Sequence, residues 1–135
     1  MGSESFADND LLCGITYDLT EELFHFGNRR PWQSGLLSKL LVKAADLRVL
    51  LIAMDPEARM QEHHTDGTST IHVLKGVACI RVQDKRHDLG AGVILTLAPR
   101  TKHAIEAPEA SVLLLTISWP TSDVLRSLPH RGYGS

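Results

Sequence analysis

Basic clusters, long apolar runs and paired cysteines are all missing from this sequence, and each absence removes a class of function. The 14 lysines and arginines gather no further than pairs such as Arg29-Arg30, and against 16 acids they leave a net charge of -2. Neutralising phosphates needs a concentrated basic face, so nucleic acid is not expected as a partner. The longest apolar stretch, Val112 to Ile117 with Thr116 inside it, falls far short of the roughly 20 residues of a membrane helix, so no membrane partner is expected. Cys13 and Cys79 lie far apart, with no CxxC and no disulfide ladder, which points to a reducing compartment; Cys79 reads as core. Met1 to Asp10 is polar and acidic, without the basic and apolar regions of a secretory signal, and a cytoplasmic address is expected. No GxSxG elbow, GxGxxG or GxxxxGK[ST] occurs, which argues against a serine or cysteine hydrolase and the common nucleotide folds.

What is present fits one domain. A chain of 135 residues with 43% hydrophobic residues buries about two-thirds of its unfolded surface, so it needs neither disulfide nor structural metal. Residues 1–34 hold no period for long and read as an arm. Asp18 to Phe24 offers a cap and one or two helical turns. Phe24, Phe26 and Trp32 concentrate aromatic side chains there, so the arm is expected to pack on the domain or on a partner subunit. From Gly35 the chain becomes short apolar runs: Leu36 to Val42, Leu47 to Met54, Thr70 to Leu74, Val77 to Val82, Val93 to Leu97 and Val112 to Ser118. Turn signals separate them, including Asp55-Pro56, Lys75-Gly76 and Gln83 to Arg86. Strands at this spacing with no helices between them predict an all-β sandwich or barrel over 35–119, followed by a tail, 120–135, with one helical turn around Leu125 and Leu128.

Chemistry rests on histidine, of which there are seven. His63 and His64 are adjacent, and neighbours in a strand point to opposite faces, so both cannot enter one pocket unless a bulge intervenes. His72 and His103 stand in or at the end of other strands; His25, His87 and His130 fall in the arm, a hairpin turn and the tail. Met54, Met60 and the leucine-rich runs read as core.

The stretch Pro56 to Gly76, with His63, Thr65, Ser69 and Gly76 in register, resembles the first motif of the cupins, G(X)5HXH(X)3-4E(X)6G. Glu57 stands at its leading glycine, Thr65 at its second histidine and Ser69 at its glutamate. Gly92 to Ala107 is similar to the second motif, G(X)5PXG(X)2H(X)3N, with Gly92 and His103 matching and Ala98, Arg100 and Ala107 departing. The resemblance covers about Leu36 to Trp119 and implies a double-stranded β-helix, or jelly roll, whose open end holds a ligand. It further implies a divalent transition metal (Zn, Ni, Fe, Mn or Cu) at His63 and His103, with His64, Glu62 or His72 as third ligand. His72, Thr65 and Ser69 are the accompanying ligand-binding candidates, and Arg100 could draw in an anion. Glu57 in the glycine position implies a turn that needs no positive φ. Two readings follow: a cupin that binds a small ligand in the barrel, and a metal-dependent enzyme of oxygenase or isomerase type, which the missing glutamate disfavours. Open sheet edges need protection, and the resemblance to cupins implies that a homodimer provides it.

Overall fold

The computed structural model describes residues 13–119. Among these residues one α-helix, α1 (Leu19–Gly27), and a single 3-10 turn (Gln33–Gly35) precede nine strands: β1 (Leu36–Lys43), β2 (Leu47–Met54), β3 (Arg59–His63), β4 (Thr68–Lys75), β5 (Val77–Val82), β6 (Lys85–Gly90), β7 (Ile94–Leu97), β8 (His103–Glu106) and β9 (Ser111–Ser118). They form two antiparallel sheets, ordered β1-β2-β9-β4-β7 and β3-β8-β5-β6, packed face to face as an all-β jelly roll. The tail helical turn expected near Leu125 lies outside the described residues.

Strand pattern and layer agree. On β2, Ile52 and Met54 point into the barrel, while Leu51 and Ala53 point out beneath the arm. On β9, Leu113, Leu115 and Ile117 point in and Val112 and Leu114 point out. Because apolar groups cover both faces, these two strands read as continuous hydrophobic runs instead of alternating ones. The four-stranded sheet has no such cover, and β5 alternates: Ala78 and Ile80 enter the core, whereas Arg81 on the other face is exposed.

The arm is structured by its own sequence. The Asp18 carboxylate accepts from the Glu21 N–H at 3.2 Å, and Glu21 and Glu22 lie in the first turn, where the helix dipole favours negative charge. The helix runs nine residues, longer than expected, because Leu19, Leu23 and Phe26 share a face that packs on Leu51, Ala53 and Val112. Burying Phe26 contributes on the order of 2 kcal/mol. Phe24 faces away and is 67% exposed. The Trp32 indole N–H donates to the Phe26 carbonyl at 2.9 Å, and Lys39 pairs with Glu22 at 2.7 Å, fastening the arm to β1.

Three turns depend on backbone conformation. Gly76 has φ +78, and a Cβ there would run into the Ala110 carbonyl oxygen and the Ser111 hydroxyl. Glu57 and Arg100, which fall on glycine positions of the two motif patterns, have φ 71 and 63. The expectation that the Glu57 turn needs no positive φ is therefore corrected: the left-handed bend persists with a side chain on it, which costs an L-residue about 1 kcal/mol.

Candidate functional site

Strand β3 carries a β-bulge that decides which histidine faces inward. Met60 stands opposite Ile105 and His63 opposite His103, so three steps on β3 match two on β8. The extra residue falls at Gln61-Glu62 and returns His63 to the face of Met60, which packs against the barrel core. His64, one residue further, is exposed beyond the strand end.

His103 opens β8 and is flanked across the sheet by His63 and by Val82 of β5. It is only 2% exposed. The two imidazole rings lie with centroids 4.2 Å apart at a tilt of 58°. Each Nδ1 sits near the carbonyl two residues before it, His63 with Gln61 at 2.8 Å and His103 with Thr101 at 3.1 Å. A carbonyl only accepts, so each Nδ1 carries the proton, and in the neutral ring each Nε2 is left as a lone pair. The His103 Nε2 is buried without a hydrogen-bond partner. Burial holds the His103 pKa below its ordinary value; the Thr101 carbonyl opposes this and the charges of His63 and His64 reinforce it. The ring is therefore neutral near pH 7, and Nε2 is an acceptor with nothing to accept.

A second orphan lies at the same end of the barrel. Ser69 is 1% exposed, shares the inward face of Ile71 and Val73 on β4, and its hydroxyl has no partner. The 64–67 and 98–102 loops meet above this end, where the Arg100 N–H donates to the Thr65 carbonyl at 2.7 Å. The Thr65 hydroxyl donates to the Gly67 carbonyl at 3.0 Å, which uses its proton to shape the loop. Gly67 in turn packs so closely on Ser118 and Trp119 that a Cβ would strike the Ser118 carbonyl.

The structure thus brings His63, His103 and Ser69 to one end of the interior, with Thr65 in the loop above. It does not bring His72, which shares the outer face of the five-stranded sheet with Leu74 and stands opposite Leu114 on β9. Val82 and Trp119 were not singled out from the sequence. Val82 becomes visible only through its register with His103, and Trp119 only through the close approach of Gly67.

Among the described residues, two imidazoles make up the donor set. Among the described residues no group of three His, Cys, Asp or Glu side chains comes together that could hold a metal. A metal site commonly needs at least three protein ligands, and the unpartnered Nε2 has no carboxylate or further imidazole beside it, so the residues do not fit a resident divalent metal. Two surface clefts stand out, and neither includes the histidines. One, of about 310 Å³, lies on the outer face of the four-stranded sheet around Arg59, Cys79 and Arg81. The other, of about 230 Å³, lies under the arm.

Comparison with known proteins agrees with this architecture. Residues 48–128 match the family model of the AraC-like ligand binding domain. No curated protein matches the chain. A conserved protein of unknown function from Streptococcus pyogenes is similar in structure, with 24% identity and a TM-score of 0.66 over 81% of this chain and 90% of that one. A cupin superfamily protein from Desulfitobacterium hafniense superposes at TM-score 0.62, with 20% identity over 66% and 82% of the two chains. Salicylate 1,2-dioxygenase from Pseudoaminobacter salicylatoxidans gives 0.62 at 15% identity, covering 80% of this chain and 32% of that one. Identities this low speak for the fold alone.

Proposed function

Because the chain belongs to the family of AraC-like ligand binding domains, we propose that it is a cupin that binds a small organic molecule at the histidine end of its barrel without a metal. The observation that carries this reading is the pair of buried, unpartnered polar atoms, Nε2 of His103 and Oγ of Ser69. Leaving such an atom unpaired costs about 1–3 kcal/mol. A ligand that presents a hydroxyl or N–H to Nε2 recovers that cost, while Ser69 either donates or accepts. The surrounding Val82, Leu97 and Ile117 supply apolar walls. His63 is partly exposed and lies tilted beside His103, which supports a role for it at the entrance to the site.

The enzyme alternative, an oxygenase or isomerase, finds no donor set here to support it. The reading also takes the chain as a homodimer in a reducing compartment: Cys13 and Cys79 are both free, and Val93 and Ile94 leave apolar groups exposed at the β7 edge.

The test has two arms. Elemental analysis of protein purified without chelator is expected to give far less than one transition metal per chain, and no change in His63→Ala or His103→Ala. A thermal-shift screen of small hydroxylated and amide-bearing molecules is expected to give hits that His103→Ala loses. Stoichiometric metal lost in both variants, or hits indifferent to His103, would sink the reading.

A further inference from the structure

At the opposite end of the barrel the arm builds a second cleft whose chemistry differs from that of the histidine end. Its floor is Phe26, Ala53, Met54 and Val112, and its charged lining residues are Arg30 and Lys75, with no acid among them. Its neutral polar groups are already committed. The Trp32 indole N–H donates to the Phe26 carbonyl, and the Ser111 hydroxyl sits between the Val77 N–H at 3.1 Å and the carbonyls of Val77 and Glu109, both at 2.8 Å. A polyhydroxylated ligand therefore finds no uncommitted neutral side chain here. What remains on offer is an apolar surface and positive charge.

The two cations are not equivalent. Arg30 lies over the Trp32 ring, 3.8 Å from its centroid, and pairs with Asp55 at 2.9 Å, so it is held in place and its charge is largely answered. Lys75 has no ion-pair partner among the described residues. With a volume of about 230 Å³, below the usual range for drug-sized ligands, the cleft suits a molecule on the order of ten non-hydrogen atoms.

We infer that the cleft between α1 and the β2 and β9 strands is a binding site for a small organic carboxylate with an apolar body, its carboxylate on Lys75 and its body on Phe26, Ala53 and Val112. Arg30 is a positioning residue that keeps Trp32 and the arm closed over the body. This site is independent of the histidine end and stands whether or not that end binds a ligand.

The sequence contains two tryptophans, one at each end of the barrel, and they serve as separate reporters. The full chain labelled with fluorotryptophan is titrated with sodium benzoate and, in parallel, with benzamide, its uncharged counterpart, and followed by fluorine NMR. Benzoate is expected to move the Trp32 resonance and leave Trp119 in place, and benzamide to bind about tenfold more weakly. Lys75→Met, at an exposed position and with its apolar stem kept, is expected to weaken benzoate about tenfold and leave benzamide unchanged. Lys85→Met, which removes the same charge from the β6 strand, keeps wild-type affinity. Movement of Trp119 alone, movement of neither resonance, equal binding of benzoate and benzamide, or undiminished benzoate binding by Lys75→Met would each overturn the inference.

Discussion

Replacing His103 with leucine tests the electrostatic account of the barrel end directly. The substitution removes the Nδ1 hydrogen bond to the Thr101 carbonyl, a loss of about 1 kcal/mol. It also removes the buried, unpartnered Nε2, whose desolvation costs about 1–3 kcal/mol. The two effects offset, so at about pH 7.5 the variant should be as stable as the wild type or slightly more so. The pH dependence separates them. Burial lowers the folded-state pKa of His103 below the ordinary 6.5, so the unfolded chain takes up a proton that the folded chain refuses. The stability tied to this group is complete above that unfolded value and is lost as pH falls from it toward the folded pKa. One such proton is worth at most about 1.4 kcal/mol per pH unit. Between about pH 7.5 and 5.5 the wild type should therefore lose more stability than His103→Leu, within that upper bound. Urea denaturation at a series of pH values, with the m-value checked for constancy, measures both slopes. Parallel slopes, or a variant several kcal/mol less stable at neutral pH, would show that Nε2 is satisfied in the folded protein and that the binding argument built on it fails.

Two further predictions concern the backbone. Glu57→Gly and Arg100→Gly each relieve a left-handed side-chain conformation, and each should raise stability by up to about 0.5 kcal/mol once glycine's greater unfolded-state freedom is subtracted, read as an upward shift in the thermal midpoint. Loss of stability in both would mean that these side chains make contacts that outweigh the strain. Gly76→Ala combines positive φ with collision against the Ala110 backbone and should cost more than about 3 kcal/mol by denaturant melt, since backbone cannot yield as a flexible side chain does; a cost below about 1 kcal/mol would contradict the turn geometry.

The strands legible in the sequence are those with apolar residues on both faces or on a clean alternation: β1, β2, β4, β5, β7 and β9 all coincide with hydrophobic runs. β3 (Arg-Met-Gln-Glu-His) and β6 (Lys-Arg-His-Asp-Leu-Gly) were not, because the outer face of their sheet is open to water and carries charge, so Gln83 to Arg86 reads as turn although the turn is only Gln83-Asp84 and His87 lies on β6. For the site, the positions of His63 and His103 could be picked out, but whether His63 or His64 faces inward could not. That choice depends on the bulge at Gln61-Glu62, and a bulge is a property of two strands in register, which no single segment reveals. His72 shows the converse. Its spacing admits a place in the site, yet the parity of β4 turns it to the side of Leu74 while Ser69 turns inward. The left-handed backbone at Glu57 was invisible for a simpler reason, since a glutamate gives no sign of the φ it tolerates.

The Gln61-Glu62 bulge has one more consequence. A strand has a phase, and the single additional residue sets it for everything downstream until the strand ends. Deleting either Gln61 or Glu62 would restore plain two-residue pairing and leave His63 opposite His103 on the interior face, whereas straightening the bulge with both residues kept would turn His63 outward. In such a barrel an edge strand can therefore gain or lose one residue, taken up as a bulge, while the same histidine faces the guest. Alignments that count residues without tracking phase would record the two proteins as having different sites.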